Sequence, residues 1–255
     1  MDRNIRGLAL KRKKPVVGFG VSLGSVRIVE MAALTRFDYI MVDLLHSHFG
    51  KEGATDAIRS IAQAGGPVPL GRVASNDAGS INELLDAGAS GIIVPMVGSE
   101  DEAVVAVEAA YYPPLGKRSK GSPAAVFYGS DYYSKINELI NLIVMIETPE
   151  AAEKAGEILS VPGVTGCLIG AGDLHFIMQK TGNSSALRKV VQGLVETGGK
   201  AGKAMGISVN SPEDLKNWWD KGIDFFLASH DMAVFNAGIR QHERDYLDIM
   251  VSERA

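Results

Sequence analysis

Eight short apolar runs, separated by amphipathic stretches, decide most of what this chain can fold into. They are "PVVGFGVS", "FDYIMVDL", "VPLGRVA", "GIIVPMV", "LIVMIET", "VTGCLIG", "AMGISV" and "IDFFLAS". Each is nearly continuous in its hydrophobicity rather than alternating, the pattern of strands buried on both faces of a parallel sheet. Helical patterns fill the gaps. "SVRIVEMAALTR" opens at Ser25, a predicted N-cap, and "SINELLDAGA" sets Ser80 ahead of Glu83 at capping-box spacing. "SEDEAVVAVEAAYY", "TPEAAEKAGEILS", "SALRKVVQGLVETGG" and "SPEDLKNWWDKG" continue the alternation, and a last helix is predicted over about 232–251. About eight strand–helix units in 255 residues predict an α/β fold, a single (β/α)8 TIM barrel spanning 1–255. A doubly wound open sheet is the other arrangement of the same alternation. Pro113 to Glu138 interrupts the rhythm and is long for a plain connection. As a helix-to-strand connection, part of it is expected along the face opposite an active site.

Charge and composition exclude several classes. A net charge of -4 gives no basic footprint for nucleic acid. The start, "MDRNIRGLALKRKKP", is basic but is followed by no apolar signal-peptide core. No apolar run approaches the roughly 20 residues that cross a bilayer. The single cysteine, Cys167, cannot form an internal disulfide and sits in a strand pattern, so a buried core thiol and a reducing, cytoplasmic setting are expected.

Barrel enzymes work at the carboxyl ends of their strands. Those ends carry Asp43 and His46 after the second run, Arg72 in the third, Glu147 after the fifth, Asp173 after the sixth, and Ser229, His230 and Asp231 at the eighth. Carboxylates suit a hard divalent cation such as Mg2+ or Mn2+, which polarises a carbonyl and stabilises an enolate, while an imidazole moves protons. Each residue also has a structural reading. Glu147 could assist a helix N-terminus in "ETPE", Asp173 could cap the next helix, and Arg72 could be a barrel ion pair. His48 reads as a loop residue, and His230 and Asp231 either extend the site or cap the last helix.

Taken in order, Asp43-x-x-His46, Gly71-Arg72-Val73, "LLDAGASGIIVPMV", "YYPPLGKRS", "MIETPEA" and "IGAGDL" resemble the HpcH/HpaI-type class II pyruvate aldolases, the 4-hydroxy-2-oxoheptanedioate aldolase family. The likeness runs from about Val16 to Gly238. It implies a barrel of the phosphoenolpyruvate/pyruvate-domain type and a divalent ion (Mg2+, Mn2+ or Co2+) on Glu147 and Asp173. It makes His46 the general base, paired with Asp43, and Arg72 the group that holds the carbonyl oxygen and enolate. Asp86 is implied to reach a neighbouring subunit's site. The backbone of Gly170, Ala171 and Gly172 before Asp173 is implied to take the pyruvate carboxylate, consistent with free N–H groups at a helix start. The resemblance also implies exchange of the last helix between subunits, in a homohexamer built as a trimer of dimers. Four positions depart from the family pattern: Leu45 for Glu, Met145 for Gln, Gly172 for Ala and His175 for Ser. Met145 cannot donate to an oxo acid; His175 and His48 either supply replacement contacts or are simply loop residues. The expected activity is metal-dependent cleavage of a 4-hydroxy-2-oxo acid to pyruvate and an aldehyde. Decarboxylation of oxaloacetate, another use of a pyruvate enolate, and a non-catalytic oxo-acid-binding barrel are the alternatives.

Overall fold

The computed structural model describes residues 14–252, so the basic start over 1–13 lies outside the described residues. Each of the eight runs forms a strand: β1 (Val16–Val21), β2 (Tyr39–Asp43), β3 (Val68–Arg72), β4 (Gly91–Val94), β5 (Asn141–Ile146), β6 (Gly166–Ile169), β7 (Ala204–Ser208) and β8 (Phe225–His230). All pair in parallel, in chain order, and β8 closes onto β1. The fold is therefore the (β/α)8 barrel, and the open doubly wound sheet is excluded by that closure.

Continuous hydrophobicity follows from burial on both sides of the strands. One face of each strand points inward, where Tyr39, Met41, Leu70, Ile143, Leu168 and Phe225 fill the barrel. Tyr39 and Phe225 meet edge to face, ring centres 6.3 Å apart. Gly18 makes room for them, because a Cβ there would stand 2.1 Å from the Tyr39 ring. The other faces, with Ile40, Val42, Ile92 and Val144, pack against the helices in a second, larger core. Each fully buried side chain of this size contributes about 1.5–3 kcal/mol. Cys167 belongs to that outer core, and burial pushes its thiol up to about 12.

The helices over which those cores close are α1 (Val26–Ala33), α2 (Lys51–Ala64), α3 (Ala78–Ala87) and α4 (Glu100–Ala110), followed by the short α5 (Ala124–Tyr128) and α6 (Tyr132–Leu139). Next come α7 (Pro149–Glu153), α8 (Ala155–Ser160), α9 (Ala171–Lys180), α10 (Leu187–Lys200), α11 (Pro212–Trp219) and α12 (Asp231–Ser252). One sequence expectation about helix starts is corrected and one is met in position only. Helix α3 begins earlier than the Ser80–Glu83 spacing suggests. Asp77 is its N-cap and accepts from both the backbone N–H (2.9 Å) and the hydroxyl (2.7 Å) of Ser80. Ser25 stands at the N-cap of α1 but its side chain makes no capping bond.

The 113–138 stretch folds into α5 and α6 against the amino ends of the strands. The Tyr128 hydroxyl donates to the Gly88 carbonyl at 2.7 Å, just before β4. A cavity of about 290 Å3 lies there, but its charged lining residues, Asp131 and Lys135, are paired with each other.

Helix α12 departs from an ordinary eighth barrel helix. It is tied down at its first residue, where buried Asp231 accepts from the backbone N–H groups of Ser22 (2.9 Å) and Leu23 (2.9 Å) and from the Ser22 hydroxyl (3.0 Å). Beyond that point its side chains over 232–247 are exposed, including Met232, Val234, Phe235, Ile239, Tyr246 and Leu247. The side chains of Ile249 and Met250 lie outside the described residues. No helix among the described residues is long and apolar enough to cross a membrane.

Candidate active site

Parallel closure brings the carboxyl ends of all eight strands to one rim, and register sets which side chains meet there. Asp43 and Arg72 end neighbouring strands and face each other as register partners. The guanidinium grips the carboxylate with both arms, Nε to Oδ1 at 2.7 Å and Nη2 to Oδ2 at 2.6 Å. Asp43 also accepts from the Leu45 N–H at 3.0 Å. In place of the expected pairing of Asp43 with His46, the in-register arginine holds the carboxylate, and His46 stands beyond the strand end on an exposed turn that lines the same cavity. Two of Arg72's five N–H bonds are spent on Asp43; the others are free to meet a ligand.

Glu147 and Asp173 come from the next pair of neighbours. Glu147 follows β5 directly, and Asp173 lies in the first turn of α9, which follows β6. Thr148, not Glu147, caps α7. Gly170 is the N-cap of α9, so Asp173 is not the cap residue. Glu147 is buried, 3% exposed, and its Oε1 accepts from the Met96 N–H at 2.8 Å. Burial raises its carboxyl above the usual range. The Asp173 carboxyl, within hydrogen-bonding reach, raises it further, against the Met96 bond and the nearby Arg72 charge, which lower it. Two acids set this close, one of them nearly solvent-free, call for a proton or a cation between them. Gly170 makes the arrangement possible, since a Cβ there would sit 2.6 Å from Glu147 Cγ and 2.8 Å from Oε2.

This donor set fits a hard divalent ion. Such ions are commonly held by one or two carboxylates, with water and substrate oxygens completing the shell. Among the described residues no cluster of three or more His, Cys, Asp or Glu side chains forms a fuller protein cage.

Two cavities open at the rim and share Arg72 and Leu227. The larger, about 600 Å3, runs from Met145 over Gly170, Ala171, Gly172 and Asp173 toward Arg188. The smaller, about 260 Å3, holds Asp43, His46 and His230. His175 is exposed on α9 and lines neither cavity, and His48 is an exposed turn residue whose backbone N–H bonds to the Ser22 carbonyl at 2.9 Å. Asp86 lies at the far end of α3 and pairs with the buried Arg118 at 2.6 Å, away from its own chain's rim.

The sequence gives no signal for two further contributors. Met96 holds Glu147 through its backbone from a left-handed conformation, φ 55°, which non-glycine residues seldom adopt outside strained functional turns. Arg188 enters the larger cavity from the start of α10, in a stretch that reads as an ordinary helix surface.

With this geometry in place, comparison with known proteins decides the family. The HpcH/HpaI aldolase/citrate lyase family model matches residues 18–235.

The chain belongs to the HpcH/HpaI aldolase/citrate lyase family.

It is 36% identical over 217 residues to a hydroxypyruvate/pyruvate aldolase of Rhizorhabdus wittichii, covering 82% of this chain and 86% of that protein. It is 33% identical over 232 residues to the 4-hydroxy-2-oxo-heptane-1,7-dioate aldolase of Shigella sonnei, covering 89% and 88%. The crystal structure of an HpcH/HpaI aldolase/citrate lyase family protein from Burkholderia cenocepacia superposes with a TM-score of 0.85 at 24% identity, over 95% of this chain and 98% of that one. The family is one of enzymes, and this HpcH/HpaI chain is an aldolase-type lyase.

Proposed function

We propose that this chain is a divalent-metal-dependent pyruvate aldolase, cleaving a 4-hydroxy-2-oxo acid into pyruvate and an aldehyde. The observation that carries the reading is the junction at Arg72. On one side lie Asp173 and a helix start, with buried Glu147 beside Asp173 and Gly170; on the other lies His46. A substrate lying across that junction has its oxo-acid end in the larger cavity and its hydroxyl end in the smaller.

The Gly170 N–H is given to the Ile146 carbonyl at 3.0 Å, so the backbone N–H groups that follow it at the start of α9, of Ala171 and Gly172, receive the substrate carboxylate at the positive end of the helix. Arg72, braced by Asp43, turns its free N–H bonds to the 2-oxo oxygen, where negative charge develops. His46 takes the proton of the C4 hydroxyl. The C3–C4 bond then breaks, its electron pair forming the enolate of pyruvate as the C4 oxygen becomes an aldehyde carbonyl. The proton held by His46 returns through water to C3, which completes pyruvate and restores the base. A divalent cation on Glu147 and Asp173 would supply Lewis-acid polarisation of the 2-oxo group and charge stabilisation of the enolate. Met145 presents an apolar wall to the bound oxo acid, which favours substrates that need no side-chain amide at that point.

We extend the proposal to assembly. A helix as long as α12, with Val234, Phe235, Ile239 and Leu247 exposed, is supported as an arm that packs on a second copy. A homohexamer built as a trimer of dimers would let Asp86 reach a neighbour's site. Light scattering on the full chain tests this: an active monomer at micromolar concentration removes both claims.

The deciding experiment for the activity is pyruvate release from a panel of 4-hydroxy-2-oxo acids and oxaloacetate, with and without a chelator. Chelator-sensitive release from the hydroxy acids is expected. Release from oxaloacetate alone would replace aldol cleavage by decarboxylation, and no release at all would leave a binding barrel.

A further inference from the structure

We propose that His230 is a second catalytic imidazole in this site, donating a hydrogen bond from Nε2 to the aldehyde oxygen while His46 handles the proton. The inference rests on the aldolase reading and assigns a role to a residue of β8 that the reading does not use.

The geometry limits what His230 can do. Its Nδ1 accepts the N–H of Ala233 at 3.3 Å, in the first turn of α12. A ring nitrogen that accepts carries no proton, so the neutral ring holds its proton on Nε2 and is a donor there. The ring is thereby fixed at a helix start. The same ring lines the smaller cavity with His46, Asp43 and Arg72. Its cross-strand partner is Gly20, which has no side chain to block it; a Cβ on Gly20 would lie 3.2 Å from the His230 Cβ.

Elimination strengthens the assignment. The Ser22 hydroxyl is given to Asp231, and Asp43 is taken by Arg72 and the Leu45 N–H. The other side chains around this cavity, including Met41, Leu227 and Met232, are apolar. Among the described residues, the side-chain donors left to meet a substrate oxygen are Arg72, His46 and His230. Arg72 sits at the junction with the oxo-acid cavity, so the C4 oxygen falls to the two imidazoles. His46 is on an exposed turn, open to solvent, whereas His230 is pinned by its cap. In cleavage the C4–OH proton passes to His46, and His230 keeps its own proton throughout. Its bond strengthens as the oxygen of the C4 alkoxide bears charge and persists to the carbonyl.

The variant His230→Asn tests this. Asparagine is a favourable helix N-cap, so it can still accept from Ala233, but it is too short to carry a donor to the Nε2 position. Two reactions are measured on the metal-loaded enzyme. One is pyruvate release from a 4-hydroxy-2-oxo acid, and the other is exchange of the C3 protons of pyruvate in D2O, which forms the enolate without any aldehyde. The ratio of cleavage kcat/KM to exchange rate is expected to fall about ten- to a hundredfold, the scale of one lost transition-state hydrogen bond. His230→Phe is expected to lower the ratio equally. A folding defect lowers both reactions together and leaves the ratio alone, so an unchanged ratio in both variants overturns the proposal. If the unmodified chain neither releases pyruvate nor exchanges its C3 protons, the aldolase reading itself fails.

Discussion

Replacing Glu147 by Gln should make the metal-free protein more stable and the metal-loaded protein less so. The carboxylate is 3% exposed, and one oxygen is already used by the Met96 N–H at 2.8 Å. Glutamine is nearly the same shape, and its carbonyl can keep that bond. What it removes is a buried negative charge facing Asp173. Since the folded-state carboxyl is raised above its ordinary value, ionised Glu147 opposes folding at any pH above the raised value. The opposition shrinks as pH falls below that value and vanishes only below the ordinary carboxylate value of the unfolded chain. Glu147→Gln is therefore expected to stabilise the folded chain at neutral pH without metal. For a chain of this length each kcal/mol raises Tm by about 2–4 °C. Metal at about 100 times its Kd should stabilise the unmodified chain by about 2.7 kcal/mol, and the variant by much less. Thermal melts in EDTA and in excess Mg2+ or Mn2+ should therefore cross over. A variant that melts below the unmodified chain in EDTA would mean that Glu147 is satisfied without a cation. Equal stabilisation of both proteins by metal would remove Glu147 from the ligand set.

Three other outcomes follow from the same geometry. Arg72→Lys cannot reproduce the two-armed grip on Asp43, so kcat is expected to fall about as far as in Arg72→Ala, 10² or more, while urea titration shows a smaller stability loss than the roughly 3–5 kcal/mol of Arg72→Ala. Gly170→Ala drives a Cβ into Glu147 and should weaken metal binding by calorimetry about tenfold or more with the fold intact by circular dichroism; unchanged metal affinity would show that Glu147 does not bind from this position. Asp77→Ala removes the N-cap of α3 and should cost about 1 kcal/mol in a urea titration at pH 7. Hydrogen bonds from Ser75 and Ser80 hold the Asp77 carboxyl down to about 2, so its stabilisation is complete above the unfolded value near 4 and lost as pH falls through about 2, where the two proteins should converge.

Much of this protein is determined by the sequence alone, because strands buried on both faces leave a local mark. The eight apolar runs became the eight strands, and the polar residues at their ends became the rim, since alternation of strand and helix sends every strand end to the same side. Glu147, Asp173, Arg72 and His46 were legible for that reason. Pairing within the rim was not, because it depends on register between strands that are far apart in the chain. Asp43 meets Arg72 through the alignment of β2 with β3, a fact no spacing around Asp43 encodes. The start of α3 at Asp77 was hidden by a second cap-like serine three residues on. The left-handed turn at Met96, the entry of Arg188 into the larger cavity and the shared cavity of His46 and His230 are equally non-local. Most telling is α12. Its apolar residues, and its expected exchange between subunits, were legible in the sequence; that Asp231 anchors its first turn by accepting from Ser22 and Leu23 is decided only by the folded chain, which leaves the side chains over 232–247 exposed. Periodicity specifies which element a segment forms; which surface that element buries is decided by barrel closure, which assembles residues from both ends of the chain.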